Sequence, residues 1–224
     1  MRESTTRRLG SVPGQAPANK GRKFRAEPLS RAEANALIGA CSAASRTGIR
    51  NRALLAVMYR GGLRIAEALA LRPADADPDR GTIRVLDGKG GKPRTVGVDA
   101  GAMASIQRWM DTRRAAGIRR GPLFATLAGG QMSPQYVRAM MTRAADKAGI
   151  ERRVHPHGLR HTMSAEWIQE GRSPVLLRDQ LGHTSLAVTD RYLRDIAPGE
   201  VIAAAHQRQW TEPGPRNATD GNER

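Results

Sequence analysis

Residues 82–98, TIRVLDGKGGKPRTVGV, are the one stretch with strand character in a chain that otherwise repeats at helical spacing. β-Branched residues stand at Thr82, Ile83, Val85, Thr95, Val96 and Val98, and Gly88-Lys89-Gly90-Gly91-Lys92 lies between them. That pattern predicts a β-hairpin whose glycine-rich tip presents two lysines. A lone hairpin among helices, with no strand–helix–strand alternation, excludes a parallel sheet. The fold class is α+β, mainly α: a helical domain carrying a small antiparallel sheet.

The helices are marked by their starts and stops. Ser30 and Glu33 have capping-box spacing, and Ala34, Leu37, Ile38 and Cys41 follow at helical intervals. Asn51–Tyr59 puts Leu54, Leu55 and Met58 on one side, and Gly61-Gly62 ends it. A helix restarts over Leu63–Leu71 and Pro73 closes it. From Asp99 onward, helical segments are expected near 99–116, 134–148, 157–170, 173–181, 185–193 and 198–208. Residues 1–27 carry Arg2, Arg7, Arg8, Lys20, Arg22, Lys23 and Arg25 against Glu3 and Glu27, with no hydrophobic period, and read as a flexible basic arm. The expected organisation is this arm at 1–27, one folded domain at 28–209 and a disordered tail at 210–224.

Charge narrows the function. Lys and Arg total 37 against 21 Asp and Glu, a net +16, and the sequence pI is about 11.4. A surplus of that size suits a polyanion, since phosphate contacts release counterions and supply affinity without regard to sequence. The alternative is an arginine-rich composition with no binding role, and charge alone does not separate DNA from RNA or an anionic membrane. No apolar run approaches the roughly 20 residues that cross a bilayer, and the basic N-terminus lacks the apolar stretch of a secretory signal. The single cysteine, Cys41, has no partner for an internal disulfide, so a cytoplasmic setting is expected.

Three segments carry chemistry. In GLRIAEALAL, Arg64 and Glu67 lie three apart on one helix face, just after a Gly-Gly break; an exposed ion pair would have the same spacing. In HPHGLRHT, Pro156 suits a helix start and again puts His157 and Arg160 on one face. Arginine offers a fixed fork of donors to phosphate oxygens, and histidine can donate a hydrogen bond or a proton. His155, His157, His161 and His183 also raise a metal site, but no ligand spacing such as HExxH accompanies them. In LGHTSLAVTDRY, a glycine turn between helices sets His183 and Tyr192 nine residues apart. Taken alone, Tyr192 is also compatible with a half-buried aromatic, and residues 173–193 with a helix-turn-helix.

Together these segments supply what in-line attack on a DNA phosphate requires: a nucleophile, donors for the non-bridging oxygens, and an acid for the leaving oxygen. Electrostatic stabilisation of this kind can take the place of a metal. A phenol, with an ordinary pKa of about 10, needs a positive cluster, a base, or both.

GLRIAEALAL, the GKGGKPRTV hairpin, HPHGLRHT and LGHTSLAVTDRY resemble, in that order, the motif boxes of the tyrosine recombinase (phage integrase) family, over about residues 28–205. The resemblance implies that family's catalytic-domain fold. It implies Arg64 and Arg160 as the catalytic arginines, Glu67 as their acidic support, and His157 as the histidine of H-x-x-R. Lys89 would be the general acid, with Lys92 its rival, His183 would fill the position of His or Trp, and Tyr192 would be the nucleophile. A 3′-phosphotyrosyl link would form and a partner strand's 5′ hydroxyl would reverse it, with no ATP, metal or other cofactor.

The implied partner is double-stranded DNA, bound by a homo-tetramer on paired sites, with no membrane role and a cytoplasmic, nucleoid-associated location. Lys92, Arg94, Arg22, Lys23 and Arg25 are further DNA-contact candidates, and the apolar positions of Ala197–Gln209 are candidates for docking on a neighbour. One departure stands out: an N-terminal clamp domain of about a hundred residues is usual in the family, where this sequence has the basic arm. That keeps open a DNA-binding accessory protein with the same fold but no recombination activity, and a topoisomerase-like relaxing enzyme.

Overall fold

The structure is a computed structural model that describes residues 28–86, 93–182 and His206. In chain order its elements are α1 (Arg31–Gly39), α2 (Arg46–Arg60), α3 (Ile65–Ala70), a 3₁₀ turn (Pro73–Asp75), β1 (Ala76–Asp77), β2 (Thr82–Val85), β3 (Arg94–Gly97), α4 (Ala100–Ala115), α5 (Pro134–Lys147), α6 (Pro156–Gln169) and α7 (Pro174–Leu181). The expected helices near 185–193 and 198–208 fall outside the described residues, apart from His206, which is helical.

Helix α2 is the axis. Leu54, Leu55, Val57 and Met58 are wholly buried, and the helix packs against α4, α6 and α1. An apolar surface covering more than one side of a helix demands neighbours all round it, which is why the single helix ends up central. It begins at Arg46, earlier than its apolar pattern suggests, because the Ser45 side chain accepts from the Gly48 amide and caps it. The Ser30–Glu33 capping box starts α1: Ser30 Oγ accepts from the Glu33 amide, and Glu33 accepts from the Ser30 amide at 2.7 Å.

The sheet has three strands in the order β1-β2-β3, all antiparallel. Two-residue β1 was not expected, since a strand that short leaves no alternating pattern to detect. Across β2 and β3 the register pairs Ile83 with Val96 and Val85 with Arg94. Ile83, Val85 and Val96 face the core. Side chains two apart on a strand share a face, so Arg94 lies on the same inward side as Val96. The sheet therefore aims one arginine at the helices instead of at solvent.

Gly62 lets α3 start where it does. It has φ +64°, and an added Cβ would lie 2.6 Å from Met163 Cε and 2.9 Å from Leu181 Cδ2. Only glycine allows this turn to approach α6 and α7 so closely. Among the described residues no helix is long and apolar enough to cross a membrane.

Candidate active site

Three separate segments meet at one cavity of about 480 Å³, lined by Leu63, Arg64, Ile65, Arg138, Arg153, His155, Pro156, His157 and Arg160. Arg64 stands at the start of α3. Its backbone amide and its guanidinium both reach Glu67, at 2.9 Å to Oε2 and 2.6 Å to Oε1. The i,i+3 spacing read from the sequence is thus an ion pair, but with the acid inside: the Glu67 side chain is 3% exposed and that of Arg64 28%. This leaves the arginine at the cavity and the carboxylate behind it.

Glu67 is shared among several arginines. Arg94 donates to both of its oxygens, at 3.0 and 2.9 Å, and Arg160 Nη1 stands 4.0 Å from Oε2. Burial by itself would raise the Glu67 pKa. The hydrogen bonds from Arg94 and from the Arg64 amide outweigh it and hold the carboxyl below its ordinary 4.5. Glu67 is an anion that fixes the directions of the cations around it.

Arg160 is 1% exposed. Its Nη1 donates to the Gly62 carbonyl at 2.5 Å and its Nη2 to the Leu181 carbonyl at 2.6 Å. One guanidinium on α6 therefore ties the turn before α3 to the last turn of α7. His157, three residues earlier on the same helix, stands edge-on to His161 with ring centroids 4.4 Å apart. Its pKa is lowered by burial and then by the positive charges of Arg160, His155 and Arg64. At neutral pH the imidazole is uncharged and keeps one nitrogen able to accept a proton.

His155 is the N-cap of α6, its Nδ1 accepting from the Gly158 amide at 3.0 Å. Burial and the neighbouring Arg153 push its pKa down, which favours the neutral ring that the cap needs. The sequence marked His155 only as part of a possible metal set. Among the described residues no group of three or more His, Cys, Asp or Glu side chains could hold a metal ion.

Arg94 departs from its expected place among the outward DNA contacts. Its side chain is 11% exposed, its two terminal nitrogens bind Glu67, and its Nε donates to the Gln180 carbonyl at 3.2 Å. The reason is strand parity, which puts it on the core face beside Val96. Gln180 completes the junction: its Oε1 accepts from the Gly97 amide at 3.1 Å and its Nε2 donates to the Gly97 carbonyl at 2.8 Å. Gln180, Arg138 and Arg153 have no sequence signal, because each joins the site from an element whose packing is not local.

Lys89, Lys92, His183, Tyr192, Arg22, Lys23 and Arg25 lie outside the described residues. The described chain does mark where some of them begin. The ends of the hairpin strands are the Val85–Arg94 pair, so its base abuts Glu67 through Arg94. His183 directly follows Gly182, the left-handed C-cap of α7 at φ +63°.

The phage integrase family model matches residues 27–197. Tyrosine recombinase XerC of Xanthomonas campestris pv. campestris (strain B100) is 37% identical over 165 residues, covering 72% of this chain and 50% of that protein. Tyrosine recombinase XerD of Mycobacterium leprae (strain TN) is 36% identical over 169 residues, covering 71% of this chain and 53% of that protein. The chain thus spans about half the length of the curated relatives it matches. Among solved structures, the XerA recombinase superposes with a TM-score of 0.73 at 26% identity, over 88% of this chain and 70% of that one. XerH site-specific recombinase, bound to palindromic difH substrate in a post-cleavage complex, gives a TM-score of 0.67 at 25% identity, over 80% and 52%.

Proposed function

Because the chain belongs to the phage integrase family, we propose that it cuts and rejoins double-stranded DNA at specific sites through a covalent link to Tyr192. The observation that carries this reading is the meeting of Arg64, His157 and Arg160 in one cavity, with no carboxylate among the described residues that line it. Glu67 stands behind the two arginines and holds them without entering the cavity. Such a site binds a phosphodiester and stabilises the charge that grows on its oxygens when a fifth oxygen approaches.

The step balances as follows. The Tyr192 phenolic oxygen attacks phosphorus and its proton passes to a base, for which the neutral His157 imidazole is suited. The bond from phosphorus to the 5′ oxygen breaks, and the Lys89 ammonium gives that oxygen a proton. A 5′ hydroxyl from a partner strand then gives its proton to the Lys89 amine and attacks the phosphotyrosine, and the departing Tyr192 oxygen takes back the proton held by His157. The roles of Tyr192, Lys89 and His183 rest on the motif resemblance, and those of Arg64, Glu67, His157 and Arg160 on the resemblance and on the cavity together.

DNA as the partner is supported by the net charge of +16 and by XerH, whose solved structure holds its difH substrate. The basic arm fits the same reading. Its last described anchor is Pro28, whose carbonyl accepts from Arg152 at 3.0 Å, and Arg152 is adjacent to the cavity residue Arg153. Arg22, Lys23 and Arg25 precede Pro28 by no more than six residues in the sequence. Assembly as a tetramer on two paired sites in the cytoplasm completes the proposal.

The test is covalent trapping. The full chain is mixed with nicked suicide duplexes drawn from DNA flanking its own gene, without metal, and run on a denaturing gel. A shifted band in the unsubstituted chain that Tyr192→Phe loses is the expected result, and Arg64→Ala should slow its formation by about 10²–10³-fold. Tight, salt-sensitive binding with no adduct on any fragment would sink the recombinase reading and leave a DNA-binding protein of this fold.

A further inference from the structure

The cavity holds more positive charge than one phosphodiester can use. Arg160 and Arg64 line it and are held in place, Arg160 by two carbonyls and Arg64 by Glu67. Arg138 and Arg153 line the same cavity from different elements, are solvent-exposed, and face no carboxylate among the described residues that line it.

Each of these two is held by its neighbours, not by its own side chain. Arg138 is in the second turn of α5, whose start is capped by Ser133 and tied to α2 by the Arg50 to Tyr136 hydrogen bond at 3.0 Å. The adjacent Val137 is wholly buried, which leaves Arg138 pointing outward. Arg153 lies in the connection before α6. There Arg152 pairs with Glu33 at 3.1 Å and with the Pro28 carbonyl, and Val154 packs on the core. Anchored backbones with unneutralised guanidinium groups keep a binding site ready at low ordering cost.

A diester carries one negative charge, and the inner arginines with His157 already supply donors to both of its free oxygens. Two further cations at the mouth suit a second anion of the same kind, and a nucleic acid strand offers one at the next linkage. We propose that Arg138 and Arg153 form a second phosphate subsite, which takes the phosphodiester neighbouring the one held by Arg64 and Arg160. This rests on the DNA-cutting reading above and adds a subsite that fixes the register of the strand in the cavity.

The test uses the full chain and a fluorescent duplex titrated over a range of salt concentrations. Arg138→Ala/Arg153→Ala should flatten the slope of log affinity against log salt by about 0.9, the share of one phosphate, and each single variant by part of that. Arg119→Ala, an exposed arginine outside the cavity, should leave the slope unchanged, and melting temperatures should match across all variants. An unchanged slope in the double variant, or an equal loss in Arg119→Ala, would overturn the subsite.

A second measurement assigns the ligand. In the trapping duplex, an uncharged methylphosphonate replaces the linkage on each side of the cut in turn. At one of the two positions it should slow adduct formation by the unsubstituted chain, and it should add no further slowing in Arg138→Ala/Arg153→Ala. Equal slowing in both proteins overturns the proposal while leaving the DNA-cutting reading intact. A chain with no salt-dependent duplex binding at all would sink both.

Discussion

Arg94 grips Glu67 with both ends of its guanidinium, Nη1 on Oε1 at 3.0 Å and Nη2 on Oε2 at 2.9 Å. This two-point contact joins the hairpin to the helix that starts with Arg64. Arg94→Ala leaves a buried carboxylate short of its main partner. It should cost about 2–4 kcal/mol of stability, measured by urea unfolding. Arg94→Lys keeps the charge but not the fork, and should cost less than Arg94→Ala. Equal stability of the two variants would show that a positive charge without the two-point fork does nothing for Glu67.

Acid should loosen this junction. The folded-state pKa of Glu67 is below its ordinary value of 4.5, so its share of stability is present above about 4.5 and lost as pH falls through the lower folded value. Urea midpoints measured downward from pH 5 should therefore fall less steeply in Glu67→Gln than in the unsubstituted chain. Asp99, Glu33 and Glu170 are lowered too, so the slope should shrink without vanishing.

His155 adds a second pH dependence nearer neutrality. Its folded pKa is depressed below 6.5, so the stability it gives as a neutral cap is present above about pH 6.5 and lost as pH falls below that. His155→Asn keeps a capping acceptor that does not titrate. It should hold stability at pH 7.5 within about 1 kcal/mol and remove part of the loss between pH 6.5 and 5. A variant as acid-sensitive as the unsubstituted chain would assign that loss to His157 instead.

Gly182 is constrained twice. Its φ of +63° disfavours any side chain, and an added Cβ would lie 2.7 Å from Arg94 Cδ. Gly182→Ala should cost about 1–3 kcal/mol. Gly171→Ala, at φ +69° with nothing within 4 Å, carries the backbone cost alone and should lose less. Equal losses in a thermal melt would mean that Arg94 yields freely, and with it the junction to Gln180.

Local pattern was enough for the Ser30–Glu33 capping box, for the described helices and for strands β2 and β3, because periodicity, capping residues and glycine turns act over a few neighbours. It also paired Arg64 with Glu67 and His157 with Arg160, since residues three apart on a helix share a face whatever surrounds them. The tertiary structure decided which of the charged groups meet. It turned Arg94 inward by strand parity, brought Arg138 of α5 to the cavity beside Arg153, and made His155 a cap. It also set Gln180 against the edge of β3. Those outcomes depend on how α3, α5, α6, α7 and the sheet pack around α2. Packing is fixed by buried surface contributed from the whole domain, and no local pattern in the sequence records it.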